Sequence, residues 1–570
     1  MKAGVTRNNT GVKKALKIFC LLDLKICFTP LGMIGARHKD RPVRTWSKAI
    51  LCAIFSGGIS VVPNLSASAH AAEATSQNVV DAALSIPTVL GSADAARYAA
   101  IFTYQDQANW KAADAEIALL KDKVLLGSVL AQRYLSPHYQ VSFAEARDWL
   151  EHYADLPEAR AVWAVAKKRA PRAALPKPQP ASAQATAVPA VDDQPQNADE
   201  KLPAEPRSLG LEAPPRFEAG LAAWRSQNWA SAVADFEAVA RAPGTPSWYV
   251  AAGAFWAGRA HLMLKEPQKV DYWFALAADE PRTFYGMLAR HTLGLTETAQ
   301  IGPKPLSKAE IAQLQSQPAG NRALALVQVR EIDRAEAELR ALSTRSPSKL
   351  ASAVMALADL ANMPSLCLAL GQRPGTDARH VDARYPVPRW QPRDGFSVDR
   401  ALLFALMLQE SQFDAEAQNN SGAAGLMQLM PATAKSVARQ AGFPLHSASE
   451  LVDPVVNLSL GQEYVKLLIE HQQINGNLIL MLAAYQSGTS ALTRWQTQAQ
   501  YPRDPLLFIE TLPHQENRLY VERVLTNMWI YRQRLGQPAS DLDALAANQW
   551  PTYVSIDETT PKGRQHAASR

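Results

Sequence analysis

The sequence predicts an all-α fold, a helical solenoid of degenerate tetratricopeptide-like hairpins followed by a second helical unit. Apolar residues recur at helical spacing from Gln77 to Lys168 and again from Leu209 to about Gly371. After the first 72 residues there is no long alternating run of the kind a half-buried strand needs. At 570 residues the chain is too long for one core, so two to four units are expected.

The N-terminus carries the charge. An apolar fraction of 47% against 20% charged residues fits a globular protein. The net charge of +6 and pI near 9.0 would suit a nucleic-acid partner, but the basic groups are unevenly placed. Residues 1–71 hold 11 Lys/Arg and 2 Asp/Glu, whereas the remainder holds 48 basic and 51 acidic groups. That imbalance argues against nucleic-acid binding. Arg41, Arg44 and Lys48 precede a 14-residue apolar run, Ala49 to Val62, and then Ala69-His70-Ala71. This is the pattern of a secretory signal peptide cleaved near Ala71, with an uncleaved anchor as the alternative. Export to the periplasm follows from it. The apolar stretch further upstream is broken by Lys17, Asp23 and Lys25, so a start at Met33 would give a more conventional leader. Cys20, Cys27 and Cys52 lie in or before the leader, which leaves Cys367 and no disulfide framework. Cys52 follows Leu51 rather than a small residue, so no lipid attachment is expected.

The expected division is a leader over 1–72, a first helical segment over 73–170, a linker over 171–208, a solenoid over 209–378, a second helical unit over 379–540 and a polar tail over 541–570. In the first segment Arg97–Phe102 and Trp110–Ile117 read as short antiparallel helices. Residues 171–207 hold eight prolines with Ala, Gln and Ser and few large apolar groups, the composition of a semi-extended tether. In the solenoid, residues 222–236 show the aromatic and small positions of a tetratricopeptide-like hairpin, and residues 255–260 and 284–289 continue it. The aromatics there read as packing between helices.

A proline-rich joint at Tyr385–Trp390 opens the second helical unit. Asp399 is a suitable N-cap for an apolar helix over 401–411. On that helix Glu410 has Met407, Leu406 and Leu403 at i−3, i−4 and i−7, which puts its carboxyl on the apolar stripe. Burial raises a carboxyl pKa, and a raised pKa is what a general acid at neutral pH requires. Periodicity alone leaves open a plain Glu at a helix end that reaches water. Asn419 to Pro431 then form a Gly-rich turn, where Gly422 and Gly425 permit close backbone approach and Gln428 offers both donor and acceptor. Pro431 and Pro454 read as helix starts, the second helix running to about His471, and a further helix ends at Gly488.

Four ordered motifs over this region are Glu410-Ser411 with Phe413, Gly425 to Pro431, Ala484-Tyr485 with Gly488, and Glu516 to Val521. With them the chain, over about 385–537, resembles the soluble lytic transglycosylase family. That resemblance implies a lysozyme-like α domain and non-hydrolytic cleavage between N-acetylmuramic acid and N-acetylglucosamine. It implies that Glu410 first protonates the glycosidic oxygen and then, as carboxylate, takes the proton of the muramoyl 6-hydroxyl, leaving a 1,6-anhydro end. It places Met427 and Gln428 along the cleft and Tyr485 and Tyr520 beside Glu410. Asn419 and Gln486 are counted as substrate contacts, although the family usually has Ser and Asn there. Asp414 and Glu416 follow Glu410 past the helix end, with no evident catalytic position.

Two rival functions stay open: a hydrolase of the same fold that admits water, and a peptidoglycan-binding scaffold whose arm recruits cell-wall synthases or hydrolases. No cofactor is expected. There is no His-Glu-x-x-His, His446, His471 and His514 are scattered, and no phosphate-binding Gly loop is present.

Overall fold

The computed structural model describes residues 87–170, 174–178, 212–295, 306–345, 350–372, 383–498 and 504–557. The leader and nearly all of the proline-rich stretch lie outside them. The described residues are all-α, as expected, with only isolated β-bridges at Gln418–Ala424, Ala424–Leu429 and Asn477–Thr552.

The first segment contains α1 (Ser92–Asp106), α2 (Trp110–Ile117), α3 (Leu126–Leu135), α4 (Phe143–Tyr153) and α5 (Ala159–Arg169). The next group comprises α6 (Pro215–Arg225), α7 (Trp229–Arg241), α8 (Ser247–Met263), α9 (Pro267–Ala278) and α10 (Phe284–Thr292). A third group runs α11 (Lys308–Gln315), α12 (Pro318–Gln328), α13 (Ile332–Arg345), α14 (Ala351–Leu360) and α15 (Pro364–Gly371). The last begins with α16 (Arg400–Glu410), α17 (Pro431–Ala441), α18 (Pro454–Glu470) and α19 (Leu478–Ser487). It ends with α20 (Thr489–Gln498), α21 (Pro505–Thr511), α22 (Gln515–Arg534) and α23 (Ser540–Ala546). No helix among the described residues is long and apolar enough to cross a membrane.

Local chemistry explains where many of these helices start. Prolines 215, 267, 318, 364, 431, 454 and 505 open helices, where a missing N–H is no loss. Ser142 with Glu145 and Ser307 with Glu310 form capping boxes. The hairpins share one turn. Ala108, Gln227, Lys265, Arg330 and Asn362 each take a left-handed conformation, φ between 54° and 67°. In each, the next residue donates its N–H to the carbonyl five positions back, as Asn109 does to Tyr104 and Asn228 to Ala223. None of these five is glycine, although Gly294 makes the same turn after α10, so the repeat has no fixed residue signature.

The hydrophobic cores cut across the expected divisions. Helices α6–α10 and the last group share one continuous core that includes Phe236, Trp256, Phe284, Leu406, Tyr520 and Trp529. Phe284 stacks on Trp529 with ring centroids 5.3 Å apart. Polar bonds cross the same seam: Arg259 Nη2 donates to Asp504 at 2.6 Å, Tyr285 to Glu510 at 2.5 Å, and Trp248 Nε1 to Glu522 at 2.7 Å. A second core joins α1–α3 to the third group, where Gln328 Oε1 accepts from the Val89 and Leu90 amides at 2.9 Å.

Two expectations need correction or refinement. Asp399 sits at the N-cap of α16, but its side chain does not cap that helix. It is buried and accepts from the amides of Ile556 at 2.6 Å and Asp557 at 3.2 Å and from Arg532 at 3.3 Å. The first-turn amide of Arg400 donates to Asp557 Oδ2 instead, at 2.7 Å, so the helix start is capped from more than 150 residues downstream. Within the stretch read as a polar tail, residues 541–557 are described. There Leu542 and Leu545 are buried and Trp550 packs on Phe508.

Candidate active site

Helix α16 is buried along its length, and Glu410 at its end opens into a cleft of about 570 Å³. One wall comes from α16, the 411–428 loop and α22. The other comes from Trp248 on α8, Arg282, Leu368 on α15, and Arg384 with Tyr385. Tyr520 on α22 donates its hydroxyl to Glu410 Oε1 at 2.6 Å. Burial lifts the Glu410 carboxyl from the ordinary carboxylate range to about 7, while the Tyr520 bond pulls the other way. That range suits a group that must both give and take a proton near neutral pH.

The loop below Glu410 is held rigidly. Gln412 and Phe413 both take positive φ, 55° and 63°, a costly pair for non-glycine residues at roughly 1–3 kcal/mol each. They turn the chain back after α16 and bury Phe413. Ser411 Oγ donates to Leu426 O at 2.8 Å, which pins the Gly-rich loop to the helix end. Gly425 has φ +77°, and a Cβ there would lie 2.1 Å from Leu451 O, so only glycine fits. Asn457, fully buried, donates to the Ala424 and Leu451 carbonyls and accepts from the Met427 amide at 2.8 Å.

The expected site residues separate in this frame. Glu410, Gln428, Gln486 and Asn419 line the cleft. Gln428 does not offer both hydrogen-bonding ends to it. Its Nε2 donates to Ala417 O and Gly425 O, each at 2.9 Å, which leaves the carbonyl oxygen as what it can present. Asn419 Oδ1 accepts from the Ser421 and Ala423 amides at 3.0 and 2.9 Å, shaping the turn at the rim. Met427 is a correction. It does not line the cleft but is fully buried, its sulfur packed where a side chain on Gly461 would otherwise stand. Tyr485 donates to Met427 O at 2.8 Å and so does not hold the carboxyl. Burial and then the charge of Glu410 push its hydroxyl well above the ordinary range.

Asp414 is the other carboxyl on the cleft wall. It is exposed, and its Oδ1 accepts from the Glu416 amide at 3.0 Å. Tyr464 on α18, which no motif marked, packs 5.3 Å from Tyr485 between ring centroids, and burial, then the charge of Glu410, raises its pKa too. The arm-side wall carried no signal in the sequence, because its residues lie far from Glu410 along the chain. Among the described residues no group of three or more His, Cys, Asp or Glu is placed to hold a metal ion.

The family comparison falls on the same stretch. Residues 391–507 match the model of the transglycosylase SLT domain. The chain is 28% identical over 176 residues to the soluble lytic murein transglycosylase of Escherichia coli K12, a match covering 30% of this chain and 26% of that protein. It is 30% identical over 136 residues to a putative soluble lytic murein transglycosylase of Haemophilus influenzae, covering 24% and 23% of the two chains. The matched part spans about a quarter of these relatives. Among solved structures, the 70 kDa soluble lytic transglycosylase of Escherichia coli aligns at a TM-score of 0.49 and 17% identity, over 81% of this chain and 99% of that one. An inactive mutant of the lytic transglycosylase Slt of Pseudomonas aeruginosa aligns at 0.47 and 21% identity, over 85% and 74%.

Proposed function

We propose that this protein is a peptidoglycan lytic transglycosylase in which Glu410 alone serves as acid and then base. The observation that carries the reading is a half-buried carboxyl ionising at about 7, held by Tyr520 in a long cleft of an SLT domain. Protonated Glu410 gives its proton to the oxygen joining N-acetylmuramic acid to N-acetylglucosamine, and the bond from that oxygen to C1 breaks. The carboxylate then takes the proton of the muramoyl 6-hydroxyl, whose oxygen bonds to C1 and closes the 1,6-anhydro ring. The proton is back on Glu410 at the end, so no water is consumed. The substrate acetamide stabilises the developing positive charge, a part that the second carboxyl plays in most glycosidases. Tyr520 holds the carboxyl oriented through both steps, and the Gln428 carbonyl, Gln486 and Asn419 contact the sugars.

Export through the 41–72 leader to the periplasm, and a tether over 171–208 between helical segments, belong to the same reading. Digestion of purified sacculi followed by mass analysis of the muropeptides tests it. Products lighter by one water than reducing-end muropeptides are expected. Reducing ends would mean a hydrolase, and no release at all would mean a binding scaffold.

A further inference from the structure

The cleft has more positive charge than its own chain neutralises. Arg523 stands three residues beyond Tyr520 on α22 and so shares the face that reaches Glu410. Its Nε and Nη2 are buried and have no hydrogen-bond partner. The charged neighbour it feels is Glu522, whose carboxyl accepts from Trp248 and is pushed well above the ordinary range by burial and by Glu510. Across the cleft, Arg282 has no hydrogen bond or ion pair among the described residues. Arg384 donates from Nε to Gly371 O at 2.7 Å, and its Nη nitrogens have no hydrogen-bond partner among the described residues. Both act on the Tyr385 hydroxyl, which places them on one side of the cleft. Against these three guanidinium groups the lining offers the carboxyls of Glu410 and Asp414.

Buried guanidinium nitrogens without partners, such as the two of Arg523, are costly, and in a binding cleft a ligand supplies the partner. A glycan backbone of hydroxyls and acetamides offers them only neutral acceptors, with no charge to match theirs. The carboxylates of peptidoglycan hang from its lactyl groups, either directly or at the far side of the attached peptide. Resting on the reading above, we propose that Arg282, Arg384 and Arg523 form a carboxylate-binding subsite that selects glycan strands by the anionic groups on their lactyl side chains. Planar guanidinium forks match carboxylates in two-point contact, which is why arginine rather than lysine suits this role.

Binding to the full chain carrying Glu410→Gln, which leaves the strand uncut, tests this. The ligands are peptide-bearing glycan strands, strands stripped of peptide by an amidase, strands with carboxyls converted to amides, and neutral chito-oligosaccharides. Amidation should weaken binding about tenfold or more, the scale of one charge-assisted hydrogen-bonded pair. Arg282→Ala with Arg384→Ala should lose the same factor on native strands and nothing on chito-oligosaccharides. Arg523→Gln should behave alike, and the arm-side pair keeps the test valid if that variant folds poorly. Stripped strands that bind like native ones assign the lactyl carboxylate as ligand, and stripped strands that bind like amidated ones assign the peptide. Unchanged affinity on amidation, or equal losses on chito-oligosaccharides, overturns the subsite. Digestion of sacculi by the wild-type chain separates the two failures. Release of muropeptides without carboxylate dependence sinks the subsite alone, and no release and no binding sinks the functional reading.

Discussion

Tyr520 donates its hydroxyl to Glu410 at 2.6 Å across 110 residues of sequence. The bond stabilises the carboxylate, burial stabilises the acid, and the balance of the two sets the carboxyl near 7. Removing either influence should move activity in a known direction.

Glu410→Gln preserves size and a hydrogen-bonding end but has no proton to transfer. Release of muropeptides should fall by about 10⁴-fold, the top of the range for general acid–base help, with the helical circular dichroism unchanged. Asp414→Asn should stay within a few-fold of wild type, because the exposed Asp414 has no proton to move in this mechanism. Equal loss in the two variants would exclude a one-carboxyl route.

The pH profile follows from the same carboxyl. The first step needs the protonated form, so kcat/KM should fall as pH rises through about 7. Tyr520→Phe removes the bond that favours the carboxylate, so the alkaline limb should shift upward by about one pH unit. A downward shift would mean that Tyr520 acts otherwise.

Glu510 and Glu522 are buried at the seam between α8–α10 and α21–α22, and burial raises both above 4.5. For acids raised in this way the stabilising contribution is complete below the unfolded value and is lost as pH rises from there through the folded values. Glu522→Gln removes the titrating charge and keeps an acceptor for Trp248 Nε1. Its Tm should exceed that of wild type by about 2 °C or more near about pH 8 and match it near about pH 4. Scanning calorimetry at the two pH values checks this.

Gly425→Ala should fail by geometry. Its φ of +77° and the Leu451 carbonyl 2.1 Å from the added Cβ leave no room without moving the loop that Ser411 and Asn457 hold. Activity should drop at least about tenfold, with Tm falling by several degrees, since overpacking typically costs about 1–3 kcal/mol. A fully active Gly425→Ala would show that the loop is not the support described.

Limited proteolysis addresses the tether. Residues 171–207 have too little apolar surface to pack, so the earliest cuts should fall there. First cuts elsewhere would move the boundary.

The role given to Glu410 rested on the four ordered motifs, whereas the apolar stripe that carries it was legible because its signal is local to one helix. The all-helical class was legible for the same reason. Met427 and Gln428 were harder, since the φ of +44° at Gln428 decides which side chain faces the cleft, and no residue type announces it. Asp399 has the chemistry of a cap, yet tertiary partners from 556–557 take its oxygens. The hairpin repeat is a repeat of backbone shape at Ala108, Gln227, Lys265, Arg330 and Asn362, five positions with almost nothing in common as side chains. Arg282, Arg384 and Arg523 meet only through long-range folding, which leaves no spacing to read.

The cap on α16 sets an order of events during synthesis. Asp557 holds the first turn of the helix that ends in Glu410, and it is translated well over a hundred residues after that acid. At ordinary ribosomal speed the interval is on the order of ten seconds. For most of it the emerging chain has its acid but neither Tyr520's grip nor a finished helix start. A ribosome stalled before residue 557 therefore releases a chain whose proposed acid stands on a helix with its first turn uncapped.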